Sequence, residues 1–363
     1  MRLRGGGTKD FWGAPLQGEV LDTRAYAGII SYEPSELVVT VRGGTPLAEL
    51  EAALAEKGQC LAFEPPHFGH APGQGATVGG MVAAGLSGPA RASVGAVRDF
   101  VLGARCINGK GEDLTFGGQV MKNVAGYDVS RLLAGSWGTL GIITEVSLKV
   151  LPVAPAEATL MCAGMGQKDA LDLLHRWGGQ PLPLNASAWV RDTTAQPVAD
   201  YLFVRLRGAV AAVQSAVGRM SADAAALGAQ VHVMDNAEAV QDWRASGEQT
   251  LQFFEPPSGE LCLWRLSVPQ TAPVLDLPYS QYIEWQGAQR WLWAPATAAA
   301  QLREAAQGVG GHATLFRSSL LGGATDKAVG VSTPLDAVQQ RIQRELQKQF
   351  DPQGVFATGR MGI

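Results

Sequence analysis

Cysteine is scarce and scattered. Cys60, Cys106, Cys162 and Cys262 stand far apart with no C-x-x-C pair. That spacing supplies neither a zinc knuckle nor the thiolates of an iron–sulfur cluster, so no metal site is expected. Buried free thiols acting as small apolar side chains are the expectation, and any iron–sulfur centre would have to sit on another chain. Long apolar runs are missing too: none reaches the ~18 residues of a membrane span. The opening MRLRGGGTKDFWG lacks the apolar stretch of a secretory signal, so a soluble, cytoplasmic chain is expected. Lys and Arg never run longer than a pair. With a net charge of −4 and a pI near 5.8, nothing points to nucleic acid as a partner. No repeat of fixed period and no low-complexity tract is present.

Glycine is abundant instead. There are 45 in 363 residues, 26 of them in the first 150, against a usual fraction of roughly 7 per cent. The length favours two domains, and the glycine bias assigns the loop chemistry to the first. Three glycine strings stand out. Lys122 to Pro152, KNVAGYDVSRLLAGSWGTLGIITEVSLKVLP, holds Gly126, Gly135, Gly138 and Gly141 around Tyr127 and Trp137. It ends in an alternation that puts Val146, Leu148 and Val150 on one face and Glu145, Ser147 and Lys149 on the other. Such period-2 alternation predicts a half-buried antiparallel strand. Arg4-Gly5-Gly6-Gly7-Thr8 offers successive amides beside a guanidinium, an arrangement suited to an anion. Gly73-Gln74-Gly75-Ala76-Thr77-Val78-Gly79-Gly80 is a third loop of small residues. It is not a P-loop, because no Gly-Lys-Ser/Thr follows, and no tight strand–GxGxxG–helix unit surrounds it as in a Rossmann fingerprint. Each glycine alone requires no more than a turn. Together the strings outline a diphosphate held by backbone amides and a flat ring bedded on Ile142 and Ile143.

The coarse element reading is α+β. Strands are expected at Val20–Asp22, Leu37–Val41, Cys60–Phe63, Arg98–Ile107 and Glu112–Phe116, the last two joined by an Asn108-Gly109 turn. Thr45-Pro46 should open a helix carrying Leu47, Leu50 and Leu54 and closed by Gly58, and residues 65–95 read as loop. Pro152 to Pro155 reads as a linker. Beyond it, strands at 158–165, 201–207, 230–234, 260–268 and 290–293 alternate with helices at 168–177, 210–226, 237–246 and 297–307. Seven of nine tryptophans lie there, in a core or a pocket wall. Thr333-Pro334 should open a last helix with an apolar stripe of Leu335, Val338, Ile342, Leu346 and Phe350, stopped by Asp351-Pro352.

The string GYD-x4-L-x-GS-x-GTLGIIT resembles the closing motif of the PCMH-type FAD-binding domain of the vanillyl-alcohol oxidase superfamily. EPPHFG (64–69), VRDFVLG (97–103), FGGQVMKNVAGYDVSRL (116–132), GGHATLFR (310–317) and FDPQGVF (350–356) resemble the FAD-binding E subunits of bacterial glycolate oxidase, nearly end to end. The resemblance implies a PCMH-type domain of two α+β subdomains over residues 1–152. It implies a cap of antiparallel sheet and helices over 153–325, and a helix and tail at 326–363 packing back on the first domain. A strand and helix usually precede the first glycine loop in this family, so the resemblance implies that this βα unit is missing here. It implies FAD held by Arg4, Gly5, Gly6, Gly7, Thr8, Gly73, Gly75, Ala76, Thr77, Val78, Gly79, Gly80, Gly88, Gly141, Ile142 and Ile143. Members that attach flavin covalently often carry His by the first loop. Thr8-Lys9 offers none, so binding should be non-covalent.

The function implied is that of a subunit oxidising glycolate to glyoxylate and handing electrons to an iron–sulfur subunit. A homologous FAD-containing subunit would stand beside it, in the cytoplasm or peripherally at the inner membrane. A self-contained FAD-dependent 2-hydroxy-acid dehydrogenase and a flavin-free scaffold are the alternatives. The family's C-terminal His-x-Gly-Asp-Gly-Asn string is absent, and His312 is the nearest candidate base, sharing a strand face with Arg317 only if a bulge intervenes. Arg265 and Arg290 are candidates for a substrate carboxylate, though ordinary structural arginines fit equally well. His67 and His70 flank the second loop; His175 and His232 look structural.

Overall fold

The structure, a computed structural model, describes residues 1–69, 75–119, 128–193 and 196–361. The chain divides into two compact units. The first comprises Met1–Gly88, Gly95–Val153 and Pro334–Ile363, and the second Pro89–Val94 and Ala154–Thr333. Both are α+β.

The first unit holds a five-stranded antiparallel sheet in the order Ile29–Glu33, Val38–Arg42, Ile142–Lys149, Val101–Ile107, Asp113–Gly117. The alternating strand read from the sequence is its centre. Val146, Leu148 and Val150 are fully buried, as the alternation predicts. The opposite face is not bare, because Ser147 is buried as well, its hydroxyl 2.8 Å from that of Thr40. Its neighbours Glu145 and Lys149 on that face are half-buried, and pairing of the two hydroxyls satisfies the buried Ser147. A separate parallel pair, Arg2–Arg4 with Val20–Asp22, points Gly5 to Thr8 out of a strand end.

Several local expectations are corrected. The helix Leu47–Ala55 does bury Leu47, Leu50 and Leu54, but Thr45 does not cap it. Its hydroxyl accepts the Gly28 amide at 2.8 Å, and Pro46, in extended backbone, precedes the first helical residue. A residue before proline is pushed away from helical backbone, which frees Thr45 for this bridge. The 65–95 stretch is not all loop: Val78–Ala84 is helical, with Thr77 accepting the Gly80 amide and Gly85 left-handed at its end. Two glycines in seven residues hide such a helix from propensity, at about 1 kcal/mol each. Packing compensates, with Val78, Met81 and Val82 buried. The expected strand at 98 begins only at Val101, after a helical turn Val97–Phe100. The Cys60–Phe63 strand shrinks to Gln59–Cys60. The last helix starts at Ala337, three residues after the expected Pro334, where Asp336 accepts the Gln339 amide.

The second unit is built on an eight-stranded antiparallel sheet. Its order is Gln230–Val233, Ala156–Ala163, Ala199–Gly208, Leu184–Asp192, Gln281–Glu284, Gln289–Ala294, Cys262–Ser267, His312–Arg317. Helices Gln167–Gly178 and Val210–Ala225 bury Leu174, Trp177 and Met220 against Leu160, Leu202 and Val204. Helix Ala299–Gln307 buries Leu302 against Trp264, Leu266 and Leu315. Trp177 and Trp264 are pure core. Trp243 and Trp293 instead line a cleft of about 900 Å³ on the other face. Cys106, Cys162 and Cys262 are buried thiols outside any disulfide, pushed up to about 11 by desolvation, and Cys60 is half-buried and also outside any disulfide. Among the described residues no helix is long and apolar enough to cross a membrane. Among them, too, no group of three or more His, Cys, Asp or Glu could hold a metal ion.

Candidate cofactor-binding site

The glycine strings separated by more than 130 residues meet in one cleft of the first unit. Its walls are Arg4 to Asp10, Ala76, Thr77, Gly79 and Gly80, and Gly138 with Gly141 to Ile143, around a cavity of about 100 Å³. Of the residues expected to hold a cofactor, Arg4, Gly5, Gly6, Gly7, Thr8, Ala76, Thr77, Gly79, Gly80, Gly141, Ile142 and Ile143 line it. Val78 is fully buried in the first turn of the helix instead. Gly75 backs the wall through its carbonyl, and Gly73 lies outside the described residues. Gly88 stands apart: its amide donates to the Phe63 carbonyl at 2.9 Å, and a Cβ there would meet the Glu64 carbonyl oxygen at 2.4 Å. That glycine serves a chain crossing.

Why these positions are glycine is visible in the packing. A Cβ on Gly6 would lie 1.7 Å from the Gly75 carbonyl oxygen, and one on Gly5 would lie 2.2 Å from the Thr77 hydroxyl. The first two strings therefore touch backbone to backbone. Among the described residues no protein acceptor takes the amides of Gly5, Gly6, Gly7 or Thr8. Consecutive amides without a protein acceptor, on residues that line a cleft, suit an anion. Thr77 adds the first turn of the Val78–Ala84 helix to the same wall.

Charge completes the picture. Arg4 lends its Nε to Asp10 at 2.9 Å and lies so close that a Cβ on Gly7 would strike its guanidinium. Lys9 is buried, donating to the His67 carbonyl at 3.2 Å and the Thr8 hydroxyl at 3.3 Å. Arg360 arrives from the far end of the chain. Its guanidinium stacks 4.3 Å from the Trp137 ring centroid, and its Nε donates to the Trp12 carbonyl at 3.2 Å. Lys9 and Arg360 escaped the sequence reading because neither lies in a glycine string. Trp137 was visible there as an aromatic residue without a partner. A diphosphate-bearing dinucleotide fits this chemistry: side-chain-free backbone at the contact, successive amides that take no acceptor among the described residues, and cations in the same lining. Ile142 and Ile143 supply an apolar strip for a ring.

The remaining candidates fall elsewhere. His67 sits outside the cleft with its Nε2 2.8 Å from the Glu51 carboxylate, and His70 lies outside the described residues. The His175 ring contacts the Gln270 carbonyl, and His232 sits in the edge strand Gln230–Val233. His312 opens strand His312–Arg317 in the second unit. Packing on one side, and then the Arg265 cation, hold its pKa below the usual imidazole range. The bulge needed to bring Arg317 to the His312 face is present, since the register slips between Leu263 and Trp264. Arg265 lies on that face two pairs further along the neighbouring strand, opposite Thr314. Burial, and for Arg265 also the Arg91 cation, pushes Arg265 and Arg317 down to about 10. Arg290 is a structural arginine: it is fully buried and donates to the carbonyls of Pro273 at 2.7 Å, Ala272 at 2.8 Å and Gly287 at 3.2 Å.

Known proteins bear on both units. Residues 1–128 match the FAD binding domain family FAD_binding_4. The chain is 43% identical over 359 residues to the glycolate oxidase subunit GlcE of Escherichia coli, an alignment covering 99% of this chain and 91% of that protein. It is 31% identical over 184 residues to a D-lactate dehydrogenase of Archaeoglobus fulgidus, covering 50% of this chain and 40% of the relative. Among solved structures, alkyldihydroxyacetonephosphate synthase superposes with a TM-score of 0.66 at 15% identity, over 97% of this chain and 70% of that one, which speaks to the fold alone. The fold is thus the PCMH-type one, and the cofactor is FAD. The chain belongs to the FAD-binding oxidoreductase family of the glycolate oxidase subunit GlcE.

Proposed function

We propose that this chain is the FAD-carrying subunit of a glycolate oxidase complex that converts glycolate to glyoxylate and passes the electrons to an iron–sulfur partner. The observation that carries this is the cleft lined by side-chain-free backbone and cations in a chain 43% identical to a glycolate oxidase subunit. The residues in it act on the cofactor first. The amides of Gly5 to Thr8 would hold the diphosphate without covalent attachment, and Ile142 and Ile143 would exclude water from one face of a ring. When bound, FAD supplies a two-electron acceptor for the substrate's α-carbon hydride. Charge on a 2-hydroxy acid needs a cationic receiver, for which Arg265 and Arg317 are the candidates, and its hydroxyl proton needs a base. His312, whose pKa burial and the Arg265 cation hold below the usual imidazole range, is the candidate for that role. A homologous FAD-containing subunit would complete the complex, in the cytoplasm or peripherally at the inner membrane.

The test is flavin absorbance of the purified chain under anaerobic glycolate. Bleaching seen only once the partner subunits are added supports the subunit reading. Bleaching in the isolated chain makes it a self-contained dehydrogenase. A colourless chain that FAD does not turn yellow makes it a scaffold and overturns the proposal.

A further inference from the structure

The carboxyl-terminal tail is laced to the first glycine loop. The Ala14 amide donates to the Arg360 carbonyl at 3.0 Å, and the Arg360 Nη2 donates to the Lys9 carbonyl. The Thr139 hydroxyl lies 3.5 Å from the Met361 sulfur, and the amino terminus donates to the Val355 carbonyl. Gly13, at φ +89°, makes room for this: a Cβ there would lie 2.7 Å from Arg360 Cγ. Upstream, the buried Asp351 carboxylate accepts the amides of Val355 at 2.8 Å and Phe356 at 2.7 Å, turning the tail back after the last helix.

Charge bookkeeping in the cleft says what the tail is for. Arg4, Lys9 and Arg360 face one carboxylate, Asp10, and Asp10 is already engaged by Arg4 at 2.9 Å. The surplus of two positive charges equals the two negative charges of a dinucleotide diphosphate. Without Arg360 half that surplus is lost. Its guanidinium is held by two carbonyls and the Trp137 face, and Asp10, already engaged by Arg4, attracts it only through space while Arg2 opposes it. Burial pushes its pKa down only to about 10, leaving it charged at neutral pH.

We propose that Arg360 is an FAD-binding residue, so that the carboxyl-terminal tail forms a wall of the cofactor site and is clamped when FAD binds. This rests on the reading of the glycine cleft as the FAD site. A cation in a partly desolvated site is worth a charge-assisted hydrogen bond or more, which corresponds to a loss of roughly ten- to a hundredfold in affinity.

The experiment strips FAD from the full chain and titrates it back by flavin fluorescence, in the wild type and in Arg360→Met, Arg360→Gln and Arg360→Lys. The expected result is a rise in Kd of roughly ten- to a hundredfold for Met and Gln, partly rescued by Lys, with a shallower salt dependence in the uncharged variants. Proteolysis of the tail is expected to slow on adding FAD to the wild type and not to Arg360→Met. Gln keeps donors for the two carbonyls, so a tail that is merely structural predicts Gln near wild type and Lys no better. That pattern, or wild-type affinity in all three variants, overturns the proposal. Wild-type protein that binds no FAD removes the cofactor reading beneath it instead; where the wild type binds FAD and the Arg360 variants match it, lost affinity in Gly6→Ala keeps the cleft as the FAD site and overturns the role of Arg360 alone.

Discussion

Gly6→Ala is the most exacting perturbation of the cofactor cleft. The added Cβ would stand 1.7 Å from the Gly75 carbonyl oxygen and 2.7 Å from its carbon, where ordinary contact begins at 3.4 Å. Both neighbours are backbone, so no rotamer relieves the clash, and the two strands of the cradle must part by about as much as the overlap. A displacement of ~1.5 Å carries an amide from about 2.9 Å to well beyond hydrogen-bond reach. Losing two charge-assisted hydrogen bonds at the low end of about 1.5 kcal/mol each raises Kd roughly a hundredfold. The overpacking itself should cost the apo protein about 1–3 kcal/mol. Gly75→Ala is the control, since among the described residues nothing lies within 4 Å of its Cβ position, and its affinity should stay within about twofold of wild type. Fluorescence titration with FAD gives the affinities, and thermal melts of the apo forms report folding. A folded Gly6→Ala protein that binds FAD within twofold of wild type would refute the backbone-cradle argument.

Gly218 lies exposed in the middle of helix Val210–Ala225 with open space at its Cβ position. Gly218→Ala should therefore raise stability by about 0.5–1 kcal/mol in a denaturant melt. Asp351→Ala leaves the Val355 and Phe356 amides without their acceptor. It should cost about 2 kcal/mol and expose the tail to protease; tail protection equal to wild type would contradict the lacing. For His312 the folded pKa lies below the unfolded 6.5. The unfolded chain then binds the proton more readily, so this group's contribution is intact above the unfolded value and declines as pH falls through it. An NMR titration should place its midpoint below 6.5, and Arg265→Gln should move that midpoint up. Native protein should yield at most one thiol, Cys60, to Ellman's reagent at pH 8, and four after unfolding, because Cys106, Cys162 and Cys262 are buried and titrate near 11.

Periodicity and turn chemistry carried a good part of the fold. The alternation at 145–150 located the centre of the first sheet, and the Leu47, Leu50, Leu54 spacing located its helix. The helix at 78–84 was invisible for a physical reason: its two glycines are unfavourable in isolation, and Gly79 is selected by contact with Gly43, whose carbonyl accepts the Gly79 amide at 2.7 Å, while Gly80 lies against the Thr77 hydroxyl. Strands Leu184–Asp192 and Gln281–Glu284 were missed in the same way. Both lie inside the second sheet, where neighbours on each side, rather than a local pattern, set the conformation.

The candidate site divides along the same line. Residue chemistry alone named the glycines of the three strings and their suitability for an anion, because only glycine permits such close backbone approach. Which glycines face the cleft, and which, like Gly88, serve a crossing, depends on contacts between segments far apart in the chain. The same is true of Arg360. A single arginine near a terminus carries no local signal. It joins the site because Asp351 turns the tail, Gly13 admits it and Trp137 holds it, three residues from separate stretches that only folding brings together.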